Sequence, residues 1–125
     1  MDQLPTPTSR ELEILKVLWE YGACSVRQVH RLLPAAKDLA HNTVQTLLRI
    51  MEDKGLVDHY VEGRTFIYRP RFSRDENTAR FLDKAFDGAA LELVQSLLRS
   101  ERISQQELDE IQAMINAARR QARSQ

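Results

Sequence analysis

Cysteine, histidine and long apolar runs are all scarce in this chain of 125 residues. The single cysteine, Cys24, excludes an intrachain disulfide and a cysteine-based zinc site, and it is typical of a reducing compartment. No apolar run is long enough for a transmembrane helix, and the first residues lack the pattern of a secretory signal. We therefore expect a cytoplasmic protein without membrane insertion.

Catalytic motifs are also missing. The three histidines, His30, His41 and His59, do not share the spacing of a helical zinc site, and no HExxH occurs. No serine stands in a GxSxG motif and no phosphate-binding glycine loop is present. The sequence thus predicts a protein that is not an enzyme and that has no metal and no cofactor.

The charges balance, with 18 Lys and Arg against 18 Asp and Glu. This balance removes the simplest argument for nucleic-acid binding, which is a strongly basic domain. Neither half of the chain forms a polybasic arm. Any case for DNA binding must therefore come from where the charges and polar groups lie.

Helix starts are clearly marked in the sequence. Four hydroxyl residues are each followed three residues later by Glu or Gln, the spacing of a capping box: Thr8 and Glu11, Ser25 and Gln28, Ser73 and Glu76, and Ser104 and Glu107. With the apolar periodicity, these marks predict helices at 9–20, 26–33, 41–54, 74–87, 89–100 and 105–122. Residues 23–25 are predicted to be a connector, and Lys37-Asp38 a polar linker.

Two runs rich in β-branched and aromatic residues, 56–61 and 65–69, flank the turn sequence Glu62-Gly63-Arg64 and predict a β-hairpin. Three helices followed by a hairpin are the order of a winged helix-turn-helix. The predicted fold class is mostly α with a small β-hairpin. Residues 1–72 would form a winged-helix DNA-binding domain, and residues 73–125 a three-helix dimerisation region.

The third predicted helix has two distinct faces. Its apolar residues recur at helical spacing on one face: Val44, Leu47, Leu48 and Met51. The opposite face carries side chains that hydrogen-bond to base edges: Asn42, Gln45, Thr46 and Arg49. His41 and Thr43 lie at the N-terminal end, where the helix dipole favours a phosphate.

A polar outer face is also what any amphipathic helix has, and Glu52 and Asp53 at its far end would repel phosphate. They are tolerable if the helix enters the groove by its N-terminal end. Arg64 beside Gly63 at the hairpin tip, with Arg69 and Arg71 at the exit, is either a solvated turn arginine or a wing contact to DNA. Together with the polar face of the third helix, Arg64 at the tip favours a wing contact to DNA.

Several stretches of the chain resemble the penicillinase-repressor family, the winged-helix repressors of β-lactamase and methicillin-resistance genes. They are residues 9–19, 42–48, 54–59 and 104–108, with Gly88 and Leu93-Val94. The resemblance implies a homodimeric repressor on a palindromic double-stranded DNA operator. It implies contacts to bases or phosphates from Asn42, Thr43, Gln45, Thr46 and Arg49, and a wing contact from Arg64.

The same resemblance raises the question of release. In several relatives, a membrane metalloprotease sensor leads to cleavage of the repressor at an Asn–Phe bond. The matching positions here are Ser96-Leu97, so release by a regulatory protease, by a ligand or by dilution stays open. A copper-responsive branch carries C-terminal cysteines, and this chain has none after Cys24.

The last two predicted helices carry apolar stripes. The final helix has a heptad-like seam, and the helix before it has a parallel set: Leu108, Ile111, Ile115, Ala118 and Ala122, and Leu91, Val94 and Leu98. Three short helices cannot bury this surface alone. They would either pair with a second copy or fold back onto the N-terminal domain. As a functional alternative, a winged-helix scaffold that binds protein and does not read DNA remains open.

Overall fold

The computed structural model describes residues 6–34 and 38–124, so Lys37 of the predicted linker lies outside the described residues. The elements follow in the order α1 Ser9–Tyr21, β1 Cys24–Ser25, α2 Val26–Leu32, α3 His41–Asp53, β2 Val57–Glu62, β3 Thr65–Pro70, α4 Arg74–Phe86, α5 Ala90–Arg99 and α6 Gln105–Arg123. The chain divides into two compact units, Met1–Thr78 and Ala79–Gln125. The predicted fold class, mostly helical with a small β element, is confirmed.

All four predicted capping boxes are present, which explains why the helix starts were readable. At α1, Thr8 Oγ1 accepts from the Glu11 backbone N–H at 3.2 Å, and Glu11 Oε1 accepts from the Thr8 N–H at 3.0 Å. The other three form the same reciprocal bonds. Each box satisfies two backbone donors that a helix start otherwise leaves unpaired.

The core of the first unit lies between α1, α2, α3 and the sheet. Its fully buried side chains include Ile14, Leu15, Leu18, Val29, Val44, Leu48, Met51, Leu56 and Val57. On α1, Leu12 is only half-buried, whereas Val17 is buried. Trp19 is half-buried against the core and donates from Nε1 to the Phe72 carbonyl at 2.8 Å.

The predicted hairpin belongs to a three-stranded antiparallel sheet in the order β1-β3-β2. The prediction of a connector at residues 23–25 was wrong, because Cys24 and Ser25 pair with Tyr68 and Ile67 of β3. A strand of two residues is too short to show alternation, so only its tertiary partner reveals it. At the hairpin turn, Gly63 has a φ of 67°, a left-handed conformation that glycine adopts without strain.

The second unit contains α5 and α6, which begin and end within two residues of the predicted bounds. Neither helix has a buried residue in the single chain. Among the described residues, no helix combines the length and the apolar character needed to cross a membrane.

Candidate nucleic-acid interface

Helix α3 presents one apolar and one polar face, as its spacing predicted. Val44, Leu48 and Met51 are completely buried in the core. Their burial fixes the rotation of the helix and turns the other side outward. The side chains of that other side are all exposed: Asn42, Gln45, Thr46 and Arg49. Donors and acceptors of the kinds that read base edges are therefore held on a rigid element, open to solvent.

The N-terminus of α3 differs from the four boxed helix starts. Its N-cap, Ala40, has no side chain that can cap, and the Thr43 and Val44 amides both reach back to the Ala40 carbonyl at 3.0 and 3.2 Å. His41 and Thr43 are exposed there. Within the part of the chain that the structure describes, no side chain forms a capping hydrogen bond at this helix end.

His30 anchors the turn before α3. His30 is half-buried, and its Nε2 lies 2.6 Å from the Leu39 carbonyl oxygen. Since a carbonyl only accepts, Nε2 donates in this bond. The imidazole of His41 lies 6.2 Å from that of His30, edge to face. His30 therefore helps to hold the chain where α3 begins.

Arg64 lies in the turn of the β2–β3 hairpin and is exposed. Arg69, further along β3, is already engaged: its Nε donates to Asp58 at 2.7 Å and its guanidinium lies 5.3 Å from the Tyr60 ring centre. The Asp58 carboxylate raises the pKa of Arg69 above its ordinary value by this hydrogen bond and by its charge. Of the hairpin arginines Arg64 and Arg69, Arg64 is thus the one without such a partner in the hairpin.

Glu52, which the sequence marked as unfavourable for phosphate, is paired with a histidine. His59 Nδ1 lies 2.7 and 2.9 Å from the two carboxylate oxygens of Glu52. The His59 ring stacks on Phe66, with 4.1 Å between ring centres and an interplanar angle of 13°. No local signal in the sequence marks this pair, because it forms only when β2 folds back beside α3. Asp53 remains exposed.

Several large apolar side chains of the second unit are exposed. The exposed fractions of Leu91 and Leu98 on α5 are 72% and 51%, and that of Ile115 on α6 is 42%. The remaining residues of the predicted stripes are exposed or, in the case of Ile111, half-buried: Val94, Leu108, Ile111, Ala118 and Ala122. Leu97 and Met114 are exposed as well.

A metal site and the thiol of Cys24 are further candidates for chemistry among the described residues. The described ranges contain no group of three or more side chains able to hold a metal ion. Cys24 is buried, and this burial raises the pKa of its thiol, which disfavours the reactive thiolate.

The sequence matches a known protein family over most of its length. Residues 7–117 match the family described as penicillinase repressor. The chain belongs to the penicillinase repressor family. The penicillinase repressor of Bacillus licheniformis is 27% identical to it over 115 residues, a match that spans 89% of this chain and 90% of that one.

Solved structures of the repressor BlaI share the fold of the first unit. The DNA-binding domain of BlaI matches with a TM-score of 0.52 and 30% identity, over 61% of this chain and 93% of that one. The monomeric form of Bacillus licheniformis BlaI in complex with the blaP half-operator matches with a TM-score of 0.51 and 30% identity, over the same shares of the two chains. Membership of this repressor family confirms the predicted winged helix and the prediction that the chain is not an enzyme.

Proposed function

We propose that this chain is a homodimeric, sequence-specific transcriptional repressor that binds a palindromic double-stranded DNA operator in the cytoplasm. The observation that carries the proposal is the exposed polar face of α3, held in place by the burial of Val44, Leu48 and Met51 behind it. The structural likeness to BlaI in complex with a half-operator supports DNA binding by this chain.

In this proposal, each polar group at the interface has a distinct role. Asn42, Gln45, Thr46 and Arg49 contact bases in the major groove, where amide, hydroxyl and guanidinium groups distinguish base pairs. His41 and Thr43 lie at the uncapped helix end, whose backbone N–H groups and dipole favour a phosphate. Arg64 contacts the minor groove or a phosphate from the wing.

The second unit would join two copies. Its apolar side chains are exposed in the single chain, and a self-complementary face is the commonest way to cover them. The residues proposed for this dimerisation face are Leu91, Val94, Leu98, Leu108, Ile111 and Ile115. A two-fold dimer would place two α3 helices on half-sites spaced by whole turns of the duplex.

Release from the operator would follow a signal-dependent route such as proteolysis. The positions that match the cleaved bond of several relatives, Ser96 and Leu97, are both exposed on α5. Cleavage there would remove α6 and part of α5 from the dimerisation face. The operator affinity would then fall from that of a dimer on two half-sites to that of one monomer on one half-site.

The decisive experiment separates base reading from phosphate contact. The full chain first selects duplexes from a random-sequence library, and affinities are then measured across a salt series. We expect Gln45→Ala and Thr46→Ala to lose discrimination between selected and scrambled duplexes, by about 1–3 kcal/mol for each good base contact. Arg64→Ala should weaken both duplexes alike and lower the salt dependence by roughly one counterion.

Two matched variants control for the loss of a side chain. Gln106→Ala and Arg119→Ala remove the same groups from α6 and should leave discrimination and salt dependence unchanged. Intact discrimination in Gln45→Ala and Thr46→Ala would show that α3 does not read bases. If the chain bound no duplex even at about 50 mM salt, where phosphate contacts are strongest, the protein-binding scaffold would be the better account.

A further inference from the structure

The Glu52–His59 pair links the last turn of α3 to β2, the first strand of the wing, and the inference drawn from it rests on the proposed function. Glu52 follows Gln45 and Arg49 by seven and three residues, so the three side chains share one side of α3. His59 belongs to β2, the first strand of the wing. The exposed fractions of the His59 and Glu52 side chains are 26% and 31%, so water reaches both.

The geometry fixes where the proton of His59 is exchanged. Nδ1 faces both carboxylate oxygens at 2.7 and 2.9 Å, and a carboxylate only accepts hydrogen bonds. Nδ1 therefore carries a hydrogen whether the ring is neutral or charged, and acid adds the second proton at Nε2. Proton uptake changes the charge of the pair from −1 to zero without breaking its hydrogen bond.

The titratable groups in direct contact with this ring come from α3 and β3. From α3, Glu52 is hydrogen-bonded to it, and from β3 the ring of Tyr68 lies 5.5 Å away. Burial and then the charge of Glu52 raise the pKa of Tyr68, while the charge of Arg49 lowers it, so both of these α3 side chains act on Tyr68. Asp58 and Arg69 form the cross-strand pair next to the pair of His59 and Tyr68. Since neighbouring residues of a strand point to opposite faces, Asp58 and Arg69 lie on the other face of the hairpin.

We propose that His59 is a positioning residue whose Nε2 proton cancels the charge of Glu52 when DNA is bound, so that operator binding takes up a proton. An uncompensated carboxylate beside Gln45 and Arg49 would be repelled by the approaching phosphates. The negative potential of the duplex favours the charged imidazole, and histidine is the side chain that titrates near neutral pH. Stacking on Phe66 holds the ring over Glu52 in both states.

The experiment measures the affinity of the full chain for a duplex that it selected from a random-sequence library, at constant salt. Wild-type affinity should fall on the order of tenfold between about pH 6 and pH 8, as expected when up to one proton per subunit is released. His59→Gln, which keeps a hydrogen-bond donor but cannot be protonated, should bind weakly at both pH values. Glu52→Gln should bind tightly at both, and the double variant should resemble Glu52→Gln.

Two further variants serve as controls. Asp53→Asn removes the same charge one residue away, from a side chain that does not face His59, so it should strengthen binding equally at all pH values. His41→Gln removes the other histidine of the interface, and its effect on the pH dependence should be the same with or without Glu52→Gln.

The possible failures can be told apart. A pH dependence that persists undiminished in His59→Gln or in Glu52→Gln would overturn this inference while the proposed function stands. Equal loss of affinity at every pH in both single variants would show a purely structural pair and would also overturn it. A chain that binds no duplex at any pH would overturn the proposed function and this inference together.

Discussion

Glu11 shows how one side chain serves two elements. It closes the capping box of α1 with Thr8, and its carboxylate accepts from Lys54 Nζ at 3.1 and 2.8 Å, just beyond the end of α3. Within residues 6–34 and 38–124, it is the only charged side chain that is buried, with an exposed fraction of 2%. The sequence predicted the cap from a spacing of three residues. The ion pair, 43 residues apart, had no local signal.

The pKa of Glu11 makes this contact testable. Burial alone would raise the pKa of its carboxyl, but the hydrogen bonds from Lys54 and Thr8 and the charge of Lys54 hold it below the ordinary value of 4.5. A carboxyl whose folded pKa is lowered stabilises the fold above its unfolded pKa, and this stability is lost as the pH falls through the folded pKa.

We therefore expect Glu11→Gln, which keeps a capping acceptor, to lower the free energy of unfolding at neutral pH by about 1–3 kcal/mol. The variant leaves Lys54 without its ion-pair partner, and the partial exposure of Lys54 limits the cost. Urea denaturation at neutral pH and near pH 3 measures the effect, which should shrink in acid. Glu13→Gln, in the exposed pair with Arg10, is the control and should have little effect at either pH. An undiminished difference in acid would contradict the role given to the charge.

At the scale of the element, the apolar face of α3 packs into the core and thereby leaves the polar face exposed to solvent. Its buried side chains, Val44, Leu48 and Met51, belong to the core cluster that α1, α2 and the sheet complete. The amphipathic spacing determined both faces in advance, because every third or fourth residue of a helix returns to the same side. What α3 meets along its edge, the wing strand with His59, was not readable from that spacing.

Shortening one buried side chain of α3 should loosen this placement. Leu48→Ala leaves a cavity in the core and should cost about 2–5 kcal/mol in the free energy of unfolding. Ile50→Ala removes a side chain of similar size whose exposed fraction is 41%, and it should change stability by less than about 0.5 kcal/mol. Equal costs at the two positions, measured by thermal or urea denaturation, would contradict the orientation of α3.

At the scale of the whole molecule, the two units differ in how they hide apolar surface. The first unit buries its core within one chain, whereas α5 and α6 leave most of their large apolar side chains exposed, among them Leu91, Leu98 and Ile115. Exposed apolar stripes on paired helices are typical of an interface between subunits. The proposed dimer is a property of this scale, because it depends on the whole apolar face and not on a single residue.

Charges placed in the α6 seam should separate the subunits. Leu108→Asp combined with Ile115→Asp would bury two carboxylates at a dimer contact, so we expect the mass in light scattering to fall to that of one chain. Ala113→Asp with Ala117→Asp adds the same charges to the opposite side of α6 and should leave the mass unchanged. A seam variant that kept the mass of a dimer would show that the second unit does not join copies through this face.

The sequence by itself determined the helices and the β-hairpin, since capping boxes, apolar periodicity and turn residues are local signals that act over three to seven residues. It also determined which face of α3 is polar. Only the tertiary structure decided the contacts between distant segments: β1 against β3, Lys54 on Glu11, and His59 on Glu52. Such contacts depend on how whole elements pack, and packing follows from the sum of many burials, which no short stretch of sequence encodes.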